Sequence, residues 1–233
     1  MFKDIESNRW SKDDIEFAVR MGFLQGFPDD TFRPTEFVTR EQFAAILRRA
    51  LLFPWSKVVA IAEESVVYLA GKNGDHGTGT IVQGNYIITA AHVIGDRLMM
   101  GAKLRNGQIY NAVLVKKHDK ADLAILRLET PEVFPCLRLS ENSDIKSTEE
   151  ILTIGHPHNE TWKACSGKIS REQVPNQPWE FEMKLEVRSG NSGGPVINQQ
   201  GDIIGVVVQT TGTELGEAIS VVYFKDWIKE CFQ

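Results

Sequence analysis

Cysteine is nearly absent from this chain: Cys136, Cys165 and Cys231 are the only three in 233 residues. They are odd in number and share no metal-like spacing, which excludes a disulfide framework. One pair is left open; three buried free thiols are the expectation. No apolar run approaches the length of a membrane span. No hydrophobic leader opens the chain, because residues 1–20 carry charges throughout. The expected location is the cytoplasm, or the cell envelope if a leader has been removed. The net charge is only −5 and no long basic run occurs, so no nucleic-acid partner is implied. A Gly/Ser-rich flexible linker is also missing.

What is present centres on Gly190-Asn191-Ser192-Gly193-Gly194-Pro195. Three glycines and a proline surround one serine. Such a turn can present a hydroxyl outward and aim neighbouring N–H groups at one point. A nucleophilic serine needs both, because its free hydroxyl is weak and its product is an oxyanion. Two further stretches supply companions. Residues 79–82 and 86–89 read as two apolar strands around Gln83-Gly84-Asn85, and His92 follows the second. In Lys120-Ala121-Asp122-Leu123-Ala124-Ile125-Leu126 one carboxylate opens an apolar strand. A base, an orienting acid and a nucleophile thus occur in the order His92, Asp122, Ser192.

Thr89-Ala90-Ala91-His92, Asp122-Leu123-Ala124 and the 190–195 hexamer resemble the signature segments of trypsin-like serine proteases. Asn191 before the serine resembles the HtrA/Deg branch, as do Ile154-Gly155-His156-Pro157 and Ser166-Gly167-Lys168-Ile169-Ser170. The resemblance covers about residues 60–230. It implies a double β-barrel protease domain with the site in the cleft between two six-stranded barrels. It also implies that the N–H groups of Gly190 and Ser192 form the oxyanion hole. The implied primary pocket has Val207, Val208 and Gln209 on one wall and Gly216 and Ala218 opposite, with Val187 at its base. An apolar substrate side chain is expected there, since a buried unpaired Glu186 would be costly. No cofactor and no metal are implied. His156-x-His158 lacks a nearby third ligand and reads as structural or as an edge to the substrate. His76 and His118 are expected at the surface.

Other strands are expected at 65–70, 99–105, 108–116, 151–154, 163–170, 180–186, 195–198 and 203–209. Asn106-Gly107 turns one hairpin. Residues 222–232 read as a terminal helix with Trp227, Ile228 and Cys231 inward.

The first fifty residues have another texture. A helix at 13–21 carries Ile15, Ala18 and Val19 at helical spacing and ends at Gly22. A turn-rich loop follows at 26–34. A second helix opens at Thr39, a suitable N-cap, with Phe43, Ile46, Leu47 and Leu51 on one face. Phe2-Lys3-Asp4-Ile5, Trp10, Gly26, Phe27-Pro28-Asp29-Asp30-Thr31-Phe32-Arg33-Pro34 and Thr39-Arg40-Glu41 resemble one S-layer homology (SLH) module. That family carries three such modules and binds cell-wall polysaccharide; no repeat of the module is seen here. The expected fold is mainly β, with a small α-helical SLH-like module at 1–52 and the protease at 53–233. Trp10, Phe43, Ile46 and Leu47 are expected to form the module core, with Phe53 and Trp55 at a stiff junction and the module docked on the barrels. Arg40 is the candidate ligand for an anionic sugar, or else pairs with Asp4 or Asp30. The implied function is a serine endopeptidase acting on a protein or peptide substrate, with cell-wall polysaccharide or a regulatory protein as the module's partner. The competing expectation is an inactive or partner-switched protease fold that serves as a binding protein.

Overall fold

The computed structural model describes residues 2–20, 23–51, 55–71, 74–141, 145–158, 160–210 and 214–232. Gly22 and Phe53 lie outside them. The chain divides into two compact units, Met1–Val58 and Val59–Gln233.

The first unit holds helices α1 (Lys12–Arg20) and α2 (Arg40–Leu51), with α3 (Trp55–Glu63) beginning at its end. Its loop is tied by acidic side chains. Asp4 accepts the N–H groups of Phe32 (2.8 Å) and Arg33 (2.7 Å), bonds that hold its carboxyl below the usual range. Asp29 accepts from the N–H (3.2 Å) and hydroxyl (2.6 Å) of Thr31. Thr39 caps α2 reciprocally: the Gln42 N–H donates to Thr39 Oγ1 (3.2 Å) and the Thr39 N–H to Gln42 Oε1 (2.8 Å). This is the capping box that the Thr-x-x-Gln spacing encodes. The expected module core is corrected, however. Ile5 and Ile15 are buried, whereas Trp10 is 88% exposed and Phe43 60%. Leu47 is exposed too. Periodicity tells which residues share a face, not what covers that face. Arg40 pairs with neither Asp4 nor Asp30, which are engaged by backbone N–H groups and by Lys3.

The second unit is built from twelve strands in two closed barrels. The first comprises β1 (Val66–Ala70), β2 (His76–Gln83), β3 (Tyr86–Thr89), β4 (Met99–Lys103), β5 (Ile109–Lys117) and β6 (Ala124–Leu128). They run in the order β1-β2-β3-β6-β5-β4, and β1 pairs with β4 to close the ring. The second comprises β7 (Glu150–Gly155), β8 (Lys163–Arg171), β9 (Glu180–Lys184), β10 (Pro195–Ile197), β11 (Ile203–Thr210) and β12 (Leu215–Ser220). Its order is β10-β11-β12-β9-β8-β7, closed between β10 and β7. Closure leaves no unpaired sheet edge to cover. Leu69, Ile81, Ile87, Leu123, Ile125 and Leu126 fill the first barrel region at 0% exposure. Phe181, Met183, Ile151, Ile169, Val196 and Val207 cluster in the second.

The tail is shorter than a single helix over 222–232. A 3-10 turn (Val221–Phe224) leads into α5 (Lys225–Glu230), with Ile228 and Cys231 buried. All three cysteines are free, but only Cys231 is buried; Cys136 is exposed and Cys165 half-buried. Cys136 sits in the connection after β6, and Cys165 lies on β8, most of whose residues reach solvent. His118 is half-buried, not a surface residue. Its Nδ1 accepts the Lys120 and Ala121 N–H groups, and its ring packs edge-on against Phe224 and Trp227.

Candidate active site

His92 lies in α4 (Ala91–Ile94), a single turn directly after β3. Asp122 sits in the turn that enters β6. Both belong to the first barrel, and pairing of β3 with β6 brings them together. Asp122 grips His92 twice. Its Oδ1 accepts the His92 backbone N–H at 2.8 Å, and its Oδ2 lies 2.5 Å from Nδ1. A carboxylate only accepts, so Nδ1 carries the proton, and in the uncharged form of the ring Nε2 is the acceptor. Burial pushes the Asp122 carboxyl up. The hydrogen bond and charge of His92, with the His92 and Ala91 N–H groups, outweigh it and leave the carboxyl below its ordinary value. The side chains of His92 and Asp122 are 49% and 33% exposed, so the pair is open to a substrate.

Ser192 enters from the second barrel, on the turn before β10. The turn is fixed by its carbonyls. Ser189 O accepts from the His158 N–H (3.3 Å), Asn191 O from Gly194 (2.9 Å) and Ser192 O from Thr78 (2.9 Å). Gly190 O accepts from the Thr78 hydroxyl (2.7 Å). The Asn191 N–H closes onto Arg188 O (2.9 Å) and the Gly193 N–H onto Val207 O (2.7 Å). Among the described residues, the N–H groups of Gly190 and Ser192 donate to no acceptor. Gly190 has φ +99° and Gly193 φ +83°. Both lie in the left-handed region, and a Cβ on either would strike backbone oxygen, His156 O and Thr78 O respectively. These glycines are needed for conformation and for close approach.

Ser192 O and the side chain of Val93, the residue after His92, both lie against Gly77, but no hydrogen bond joins His92 to Ser192 among the described residues. Catalytic hydrogen bonds are often long or poorly aligned before substrate binds.

Residues foreseen for specificity divide into two groups. Val208 and Gln209 line a cleft of about 500 Å³ with His92, Asp122, Gln177, Glu180 and Glu217. Val187, Val207 and Ala218 instead belong to the core cluster of the second barrel, and Val187 packs where a Gly216 side chain would stand. Glu186 is exposed and paired with Arg188 at 2.5 Å, so its carboxylate is turned out of the interior. Glu180 was not foreseen. Burial raises its carboxyl, and the neighbouring charges of Glu217 and Asp122 add to that. Thr78 and the histidines 76 and 156 were not foreseen beside the nucleophile turn either. His156 is fully buried, and His76 is half-buried rather than at the surface. No local signal marks Thr78 in the sequence: β2 also carries the buried Thr80, and burial is an outcome of the tertiary fold. Among the described residues, no cluster of His, Cys, Asp and Glu could hold a metal.

Comparison with known proteins agrees with this architecture. Residues 77–206 match the model of the trypsin-like peptidase domain. Residues 2–44 match the S-layer homology domain. Similar curated proteins include mitochondrial serine protease HTRA2 of Bos taurus, 33% identical over 140 residues, which are 56% of this chain and 31% of that one. Another is the probable periplasmic DegP-like serine endoprotease of Hahella chejuensis, 30% identical over 56% of this chain and 29% of its own. The chain thus spans about a third of the length of these relatives. Among solved structures, the serine endoprotease from Yersinia pestis aligns with a TM-score of 0.69 at 24% identity, covering 76% of this chain and 66% of that one. The inactive form of Rv3671c from M. tuberculosis aligns at 0.63 with 22% identity, covering 75% and 90%. At those identities the likeness concerns the fold alone. With paired six-stranded barrels, and with a family model matched across more than half its length, this chain belongs to the trypsin-like peptidase domain family.

Proposed function

We propose that the protein is a serine endopeptidase that cleaves peptide bonds through a His92-Asp122-Ser192 triad. The observation that carries the reading is the two-point grip of Asp122 on His92, which leaves Nε2 basic, across the seam from a serine turn with two unused N–H donors. Ser192 Oγ attacks the substrate carbonyl carbon, and His92 Nε2 takes the hydroxyl proton. Asp122 holds the ring and offsets the charge of the imidazolium. The Gly190 and Ser192 N–H groups receive the developing oxyanion; losing one such donor typically costs about 10²–10³ in rate. His92 then delivers its proton to the leaving amine, and water repeats the sequence on the acyl-enzyme.

The S-layer homology match at residues 2–44 supports association with the cell envelope, through cell-wall polysaccharide or a protein partner. No helix among the described residues is long and apolar enough to cross a membrane. Binding of the full chain to purified cell-wall polysaccharide tests this; full recovery in the unbound fraction would sink the glycan partner.

A serine-directed fluorophosphonate tests the triad. The wild type should acquire one adduct on Ser192, and Ser192→Ala should acquire none. Labelling of Ser192→Ala at the wild-type rate would overturn the nucleophile. Should the wild type not label, the second reading stands: a protease fold that is silent or awaits a partner. The unjoined His92 and Ser192 are the observation on its side.

A further inference from the structure

The nucleophile turn is clamped by a side chain from the other barrel. Thr78 is fully buried on β2, and it touches the turn twice. Its N–H donates to Ser192 O at 2.9 Å and its Oγ1 to Gly190 O at 2.7 Å. The same oxygen lies 3.0 Å from His156 Nδ1.

Proton counting fixes the direction of this chain. A threonine hydroxyl has one proton, and a carbonyl only accepts. The Thr78 proton therefore goes to Gly190 O. Its Oγ1 must accept from His156, which places the histidine proton on Nδ1. His156 Nε2 is then an acceptor, buried with no partner among the described residues. Burial, and next the nearby His76, push the His156 pKa down to about 3, so the ring is neutral at working pH. Its position is fixed from all sides. His76 Nε2 donates to His156 O (3.0 Å), Tyr68 stacks on His76, and Trp162 packs edge-on against His156. Trp162 is itself held by its Nε1–H on Val66 O (2.9 Å).

The consequence lies in which groups remain free. All four carbonyls from Ser189 to Ser192 are engaged, two of them by Thr78. The N–H groups of Asn191 and Gly193 are engaged as well. Between Gly190 and Gly193, the N–H groups of Gly190 and Ser192 are the two that donate to no acceptor among the described residues. Fixing a peptide carbonyl fixes the plane of its peptide. The Gly190 N–H shares its peptide with Ser189 O and the Ser192 N–H with Asn191 O; Thr78 holds the two alternating peptides, 190–191 and 192–193, so the donor peptides 189–190 and 191–192 can turn only against held neighbours. Preorganised donors cost no reorganisation when charge develops.

We propose that Thr78, oriented by His156, is a positioning residue for the oxyanion-binding N–H groups of Gly190 and Ser192. The relay runs from His156 Nδ1–H to Thr78 Oγ1–H to Gly190 O. This inference rests on Ser192 being the nucleophile.

Thr78→Val removes the hydroxyl and keeps the shape; Thr78→Ser keeps the hydroxyl. Both variants and the wild type are assayed by fluorophosphonate labelling and by hydrolysis of a peptide that the wild type cleaves. Thr78→Val should lower kcat about tenfold to a hundredfold with KM changed less than about twofold, because the clamp acts on transition-state donors. Thr78→Ser should recover to within about threefold of the wild type. A folded Thr78→Val with wild-type kcat and labelling rate would overturn the proposal, as would Thr78→Ser being as slow as Thr78→Val. A wild type that never labels would favour the silent or partner-switched fold instead, and the tautomer of His156 then decides the relay. Should Thr78→Val not fold, nitrogen NMR of the wild type decides the relay. The Nδ1–H tautomer of His156 supports it, and the Nε2–H tautomer overturns it.

Discussion

At the scale of single residues, Asp122 and His156 show how environment assigns roles to ordinary side chains. Asp122 is kept ionised by its grip on His92, while His156 is kept neutral by burial. The His156 effect has a direction in pH. Its folded pKa, about 3, lies well below the ordinary 6.5. Between those values the unfolded chain binds a proton that the folded chain refuses, so the stability linked to His156 is fully present above about pH 6.5 and declines as pH falls. The limiting slope for one proton is about 1.4 kcal/mol per pH unit. Urea unfolding of the wild type between pH 6 and 5 should show this slope, and His156→Asn should be flatter by most of that amount. Equal slopes in the two proteins would mean that His156 titrates normally. His92, Asp122 and Ser192 were legible as residues because each stands in a short stereotyped segment. Thr78 was not, because its partners lie 78 and 112 residues away along the chain.

Among elements, β11, β12 and the segment after β9 shape the region beside the nucleophile. Alternation along a strand put Gly216 and Ala218 on one face, which the sequence allowed one to read. It did not tell that Val187, Val207 and Ala218 enter the barrel core while Val208 and Gln209 line the cleft. That partition depends on how β11 pairs with β12, and the register slips between Val207 and Gln209. A bulge changes which side chains face out, and no local pattern announces it. With Glu186 turned out to Arg188 and Val187 inward, the base of the implied pocket is apolar, while Glu180 and Glu217 line the cleft beside Val208 and Gln209. Peptides with an apolar residue before the cleaved bond should therefore exceed those with Lys or Arg by at least about tenfold in kcat/KM. A peptide library cleaved mainly after Lys or Arg would contradict the apolar pocket.

For the whole molecule, both barrels and every member of the proposed triad fall within residues 59–233. Each barrel closes on its own strands. A fragment of residues 55–233, which keeps α3 whole, should fold and label with fluorophosphonate within about threefold of the full-chain rate, as expected when the site's hydrogen bonds and contacts are retained. A fragment that folds but labels more than tenfold slower would show that the first unit supports the site. The sequence by itself determined the family, the two textures of the chain, most strands and the nucleophile turn. Those features are written in local signals: glycine placement, alternation, capping spacing and short motifs. Only the tertiary structure decided what the apolar faces cover. Trp10 and Phe43 carry the pattern of core residues yet stand in solvent, whereas His76 and His156, polar by type, sit packed behind the nucleophile. Burial and hydrogen-bond partnership arise from segments distant in sequence, and a local pattern cannot specify which segment will arrive.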